Sequence, residues 1–189
     1  LDSGIKTIGF LGRVCPDKGL HLLADALRLL DQTDGAPPVR LRAAGYLDPA
    51  DRPYLDEIRR GLAERFEYVG EPDRPAKMAF LRSLDVMCLP SICRESKGLP
   101  MFEAWANAVP VVASACGVFP EMIADTDGGL VCEPDSAPAL AEALRRMLCD
   151  AEFARQCGRR AQRAVHDRYH AERMAQQTLA LYQNLCNRS

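Results

Sequence analysis

Six short apolar runs separated by helical segments pass along the chain, and this alternation limits the folds open to it more than any other feature. Residues 6–12 (KTIGFLG), 39–45, 66–69, 86–89, 110–114 and 129–132 are apolar and bounded by glycine, proline or turn residues, as buried parallel strands are. Between them, 19–30 repeats Leu20, Leu23, Leu27 and Leu30 at helical spacing, and the breaker at 34–38 (DGAPP) stops it. Further helices are read at 54–62, at 76–84, from a cap at Gly98 with Pro100 as first helical residue, after the segment 116–121, and at 137–148 behind Asp135 and Ser136. Two more, 151–165 and 171–185, close the chain, the last with a stripe of Met174, Thr178, Leu181 and Leu185. Strand–helix alternation builds βαβ units, and right-handed crossovers turn them into a doubly wound parallel sheet. The expected fold is therefore α/β and Rossmann-like, with about six strands, helices on both faces and a C-terminal helical pair. With 189 residues it forms a single domain, 1–189.

Sheets of this kind bind ligands beyond the carboxyl ends of their strands. The loops after the first, third, fourth and fifth runs therefore share one rim, which collects Arg13 and Lys18, Gly70 and Glu71, Glu95 and Gly98, and Gly117. The stretch 90–114 (PSICRESKGLPMFEAWANAVPVVAS) carries the strongest signal. A helix start leaves N–H groups unpaired and partially positive, so the Gly98 and Leu99 amides suit a phosphate. Glu95 and Glu103 place a carboxylate on either side of that seat, and carboxylates accept from sugar hydroxyls. Gly12, Arg13, Lys18 and Gly19 add two cations at the mouth of a helix expected near Pro16, arginine as a fork and lysine as a point charge for a diphosphate.

Several function classes are excluded. A net charge of −2 gives no basic footprint for nucleic acid. No apolar run approaches the roughly 20 residues of a membrane span. Leu1 opens neither a signal peptide nor a native start, so the chain reads as a piece of a longer protein. The 8 cysteines are dispersed, several within apolar runs, and no Cys-x-x-Cys occurs, which reads as reduced thiols in a cytosolic protein. Neither Gly-x-Gly-x-x-Gly nor a P-loop is present, and no metal-ligand spacing is found, so no metal or cofactor is expected. His21, His166 and His170 read as surface or helix-end residues, and Phe102 and Trp105 as core.

The pattern Glu95, seven residues, Glu103, with the second carboxylate entering a helix after Gly-Leu-Pro, resembles the donor-site signature of the family-4 retaining glycosyltransferases of GT-B fold. The run Gly12-Arg13 followed by Pro16-x-Lys18-Gly19 resembles that family's diphosphate loop, and 68–71 (YVGE) its base-framing segment. The resemblance covers nearly the whole chain and one half of such an enzyme, the C-terminal donor domain. It implies that Glu103 takes the ribose hydroxyls, that Glu95 stands by the donor sugar, that Gly70 and Glu71 frame the base, and that Arg13 and Lys18 neutralise the diphosphate with Gly12, Gly98 and Leu99 assisting. It also implies retaining, metal-independent transfer from a nucleotide-diphosphate sugar to an acceptor glycan, lipid or small molecule held by an absent N-terminal domain. The isolated domain is then expected to be inactive, and the full-length enzyme cytoplasmic or peripheral at the membrane. A non-catalytic nucleotide-binding or regulatory domain, or another GT-B enzyme such as a nucleotide-sugar epimerase, stands as the alternative. Departures from the family are Asn107-Ala108 in place of a Cys-Gly-like pair, read as a packing change within the helix, a polar Arg94–Lys97 segment in which Lys97 either contacts phosphate or is solvated, and one of two usual glycines at Gly117.

Overall fold

A computed structural model describes residues 4–187 of the chain; Leu1 lies outside the described residues. Six parallel strands, β1 (Lys6–Leu11), β2 (Val39–Ala44), β3 (Phe66–Gly70), β4 (Val86–Leu89), β5 (Val111–Ser114) and β6 (Gly129–Cys132), form one sheet in the order β3-β2-β1-β4-β5-β6. The order reverses between β1 and β4, where Ile8 pairs with Val86 and Gly9 with Met87. Loops leaving these two neighbours run to opposite faces and open a crevice at their carboxyl ends.

Helices cover both faces: α1 (Leu20–Asp31), α2 (Arg52–Leu62), α3 (Arg74–Arg82), α4 (Leu99–Ala106), α5 (Phe119–Thr126), α6 (Ala137–Cys149), α7 (Ala151–Arg168) and α8 (Ala171–Cys186). All four residues of β4 are buried, and they alternate between two cores. Val86 and Cys88 join Ile8, Leu23, Leu27, Leu41 and Leu144 under α1, α2 and α6. Met87 and Leu89 join Phe80, Met101, Trp105 and Phe119 under α3, α4 and α5. Burial on both faces explains why the central strands read as unbroken apolar runs. Trp105 is fully buried and its indole Nε1–H donates to the Gly128 carbonyl at 2.9 Å. Phe102 is only half-buried, edge-on to Trp105 and tilted against Tyr169.

Several helices start earlier than their prolines suggest. Helix α3 begins at Arg74, with Pro75 inside its first turn and the Asp73 carboxylate capping the Ala76 N–H at 2.9 Å. Helix α2 likewise begins at Arg52, ahead of Pro53, and α4 at Leu99, ahead of Pro100. Proline is at home in a first turn because its missing N–H has no intrahelical partner there. At Pro16 a short 3-10 helix, Pro16–Lys18, starts, and the α-helix α1 follows at Leu20. The pair Asn107-Ala108 does not lie within a helix. Asn107 caps the end of α4 and Ala108 has φ 59, the left-handed conformation that suits glycine.

The chain's last helix, α8, buries none of its side chains. Met174 is 66 % exposed, Leu181 57 % and Leu185 54 %, so the apolar stripe of its sequence faces outward. No described helix is long and apolar enough to cross a membrane.

Candidate functional site

The β1 and β4 loops meet over the crevice. The amides of Ile92 and Cys93 both donate to the Asp17 carbonyl, at 3.0 and 3.4 Å. Gly19 has φ 72, and a Cβ there would lie 2.0 Å from the Pro90 carbonyl oxygen, so only glycine lets the two backbones touch. The consequence is a contact between side chains 77 positions apart: Lys18 Nζ donates to Glu95 Oε1. Both side chains are about one-fifth exposed, at 22 % and 19 %. The Ser91 hydroxyl reaches the same oxygen at 3.5 Å. Buried Ser114, at the end of β5, donates to the Ser91 carbonyl at 2.7 Å and holds the loop down.

The third wall comes from the β5 loop. Val118 N–H donates to the Glu95 carbonyl at 3.0 Å, and at Gly117, φ 60, a Cβ would stand 1.9 Å from that carbonyl oxygen. The one family glycine present is thus the one whose backbone touches Glu95. These walls enclose a cleft of about 190 Å³ lined by Gly12, Lys18, Ser91 and Glu95 over a floor of Phe10, Leu89, Pro100 and Phe119. Gly98 is buried beside it as the N-cap of α4. Among the described residues, neither the Gly98 nor the Leu99 amide donates to a protein acceptor.

Glu103 stands one turn into α4 and pairs with Lys77 of α3, both half-buried. Arg13 is exposed, outside the cleft lining, and makes no ion pair with a described carboxylate. Lys97 is exposed and, with Leu99, borders a different hollow, a wide apolar groove of about 820 Å³ between α4 and the start of α8.

Gly70 and Glu71 belong to a second cluster at the ends of β2 and β3. Gly45 N–H donates to the Gly70 carbonyl at 2.8 Å, and the Tyr68 hydroxyl donates to the Gly45 carbonyl at 2.7 Å. Tyr46, 48 % exposed, stands above them, and its own carbonyl accepts from Val14 N–H at 2.8 Å, which ties this cluster to the Arg13 loop. The Asp48 charge first, then burial, raises the Tyr46 phenol above its usual range; burial and the Glu71 charge do the same to Tyr68. Both phenols remain neutral donors at neutral pH.

The structure therefore brings Gly12, Lys18, Glu95 and Gly98 to one place, with Glu103 a turn deeper and Gly70 and Glu71 along the rim. Sequence reasoning missed Lys77, Ser91, Ser114 and Tyr46. Each ends or follows a strand or, for Lys77, lies on a helix beside α4, and only Ser91 and Ser114, at the ends of apolar runs, had a local signal. The β2 loop, which carries Tyr46, also belongs to the rim, since it follows a parallel strand like the others.

Residues 1–164 match the family described as glycosyl transferases group 1. The chain belongs to this family. It is 37 % identical over 145 residues to a phosphatidyl-myo-inositol mannosyltransferase of Mycobacterium leprae, an overlap that covers 76 % of this chain and 37 % of that protein. A Mycolicibacterium smegmatis protein of the same name is 33 % identical over 181 residues, covering 95 % and 45 %. The D-inositol 3-phosphate glycosyltransferase of Jonesia denitrificans is 37 % identical over 139 residues, covering 69 % and 32 %. This chain thus spans less than half the length of these relatives. Sucrose-phosphate synthase from Thermosynechococcus elongatus superposes with a TM-score of 0.84 at 29 % identity over 97 % of this chain and 46 % of that one. The C-terminal domain of the group 1 glycosyl transferase LpcC from Francisella tularensis superposes with a TM-score of 0.77 at 24 % identity, covering 88 % and 87 %. The Rossmann-like architecture is that of a GT-B C-terminal domain.

Proposed function

We propose that the chain is the donor-binding half of a retaining, metal-independent glycosyltransferase that takes a nucleotide-diphosphate sugar. The observation that carries this reading is the Lys18–Glu95 contact in a cleft beside the unpaired amides that open α4. A cation, a helix start and a carboxylate are what a diphosphate joined to a sugar requires side by side. Without donor, lysine and glutamate neutralise each other. An arriving diphosphate competes for Lys18, and the released Glu95 carboxylate accepts from a sugar hydroxyl.

In the transfer step the bond from the anomeric carbon to the diphosphate oxygen breaks, and negative charge builds on that oxygen. In this reading Lys18 and the Gly98 and Leu99 amides meet that charge at the cleft and Arg13 meets it from outside the lining, which lowers the barrier electrostatically and fills the role a metal ion otherwise serves. Glu103 holds the ribose hydroxyls and Glu71 the base side, with Lys77 orienting the Glu103 carboxylate. Among the described residues Glu95 is the only carboxylate lining the cleft, so retention does not rest on the two-carboxylate glycosidase scheme. The acceptor belongs to the other domain. Relatives of similar identity are named as a phosphatidyl-myo-inositol mannosyltransferase and a D-inositol 3-phosphate glycosyltransferase, so the half shared with them does not set the acceptor class. The same reading places the enzyme in the cytoplasm, with peripheral membrane contact where its acceptor is a lipid, and leaves the isolated domain unable to transfer.

Calorimetric titration with UDP, GDP, ADP and their sugars tests the proposal. One diphosphate should bind, and Arg13→Ala and Glu103→Ala should each weaken it by roughly tenfold or more, the value of one charge-assisted hydrogen bond. Glu95→Gln should spare the free diphosphate and weaken the sugar conjugate, which a purely regulatory nucleotide module would not show. Failure of all three diphosphates to bind a folded chain would overturn it.

A further inference from the structure

Two thiols on the rim have no part in this scheme. Cys93 lies in the β4 loop two residues before Glu95, and Cys116 lies in the β5 loop next to Gly117, the glycine in backbone contact with Glu95. The Cys116 Sγ is 3.9 Å from the Ile92 carbonyl oxygen, which belongs to the same peptide plane as the Cys93 N–H. On the other side, Lys18 Nζ stands 3.7 Å from the Cys93 Sγ. Both cysteines are half-buried and reachable from the rim, whereas Cys15, Cys88, Cys132 and Cys157 are buried and Cys149 and Cys186 are on exposed positions elsewhere. Burial and then the neighbouring Cys93 sulfur raise the Cys116 thiol.

We propose that Cys93 and Cys116 are a redox-responsive pair that closes to a disulfide across the rim of the cleft. Lys18 Nζ donates to the Cys93 sulfur, and this contact makes Cys93 the first to react and Cys116 the resolving thiol. With a hydroperoxide as oxidant, the Cys93 thiolate attacks one peroxide oxygen, giving a sulfenic acid and, from hydrogen peroxide, hydroxide. The Cys116 sulfur then displaces the sulfenic oxygen as water, forming the S–S bond. Two thiols and one peroxide become one disulfide and two waters. Closure withdraws the sulfur from Lys18 and fastens together the two loops that carry and support Glu95. Transient disulfides of this kind are compatible with a reducing compartment, where they act as sensors.

The test is peptide mapping by mass spectrometry after treatment of the chain with hydrogen peroxide near stoichiometric amounts. A Cys93–Cys116 cross-linked peptide, reversed by dithiothreitol, is expected in the parent chain. In Cys116→Ser, added glutathione should instead be captured on Cys93. Lys18→Met, which removes the donor at the Cys93 sulfur, should slow the first step by about threefold. Absence of the cross-link under conditions that oxidise exposed Cys149 and Cys186 would overturn the proposal, as would an unchanged rate in Lys18→Met. Because mass reports the bond, this outcome is independent of whether a nucleotide binds. Combined with the donor-site reading, the disulfide form should bind the nucleoside diphosphate roughly tenfold more weakly, the value of one charge-assisted contact; equal affinity in the two mapped forms would overturn that consequence.

Discussion

Replacing Gly19 by alanine separates the two reasons a glycine is needed where the β1 and β4 loops meet. The first reason is conformational. With φ 72, an alanine there takes the left-handed region at a cost of about 1 kcal/mol. The second is contact: its Cβ would be 2.0 Å from the Pro90 carbonyl oxygen, far inside the 3.4 Å at which ordinary contact begins. The obstacle is backbone, so it does not rotate away, and relieving it means separating the loops at a further cost of about 1–3 kcal/mol. Gly35 supplies the control, because it has φ 79 and nothing within 4 Å of its Cβ position. Gly35→Ala should lose only the conformational part, about 1 kcal/mol, and Gly19→Ala about 2–4 kcal/mol. Urea denaturation of both variants measures the difference. Gly19→Ala should also weaken nucleoside diphosphate binding, since Lys18 moves with its neighbour, while Gly35→Ala should leave it alone. Equal stability losses in the two variants would refute the claim that backbone contact at Pro90 is what requires Gly19.

The remaining predictions concern other parts of the fold. Ala108→Gly removes a left-handed alanine, φ 59, and should raise the melting temperature by about 2–3 °C, corresponding to about 0.5–1 kcal/mol; a lower melting temperature would show that the turn after α4 is unstrained. Tyr54 accepts the His21 backbone N–H at 3.0 Å, and burial pushes its phenol up to about 12 from 10.0. The unfolded tyrosine therefore ionises first, and stability is full below pH 10 and falls as pH rises toward 12, by about 1–2 kcal/mol once solvent around the half-buried ring is allowed for. Tyr54→Phe should flatten that alkaline fall in denaturation curves. The outward stripe of α8 should drive concentration-dependent association seen by light scattering, and the double change Leu181→Glu with Leu185→Glu should abolish it; a parent chain monomeric at high concentration would contradict this.

Elements with a strong periodic pattern are legible in the amino-acid sequence itself. The runs ending in Gly12, Leu89 and Ser114 are strands because their apolar residues are buried on both faces, and α1 and α6 show leucines at helical spacing because each packs one side on the sheet. Helix starts are less legible where proline intervenes, since Pro53 and Pro75 read as preceding their helices and Pro100 as the first helical residue, yet each sits one residue inside a first turn. The Asn107-Ala108 pair misleads for a related reason: a non-glycine at positive φ leaves no mark in the sequence.

For the site, local chemistry marks Arg13, Lys18, Glu95, Gly98 and Glu103, because helix starts, carboxylates and cations in strand-end loops carry their meaning on the residue itself. Which of them touch is decided by the tertiary fold. Parallel β1 and β4 are adjacent only because the sheet reverses there, and that reversal sets Lys18 against Glu95, while strand order also brings α3 beside α4, setting Lys77 against Glu103, and β5 beside β4, setting Cys116 against the loop of Cys93. Contacts across such separations depend on strand order and on the close approach that Gly19 and Gly117 permit. Periodicity reports which face of an element is buried; it carries no information about the neighbour that buries it.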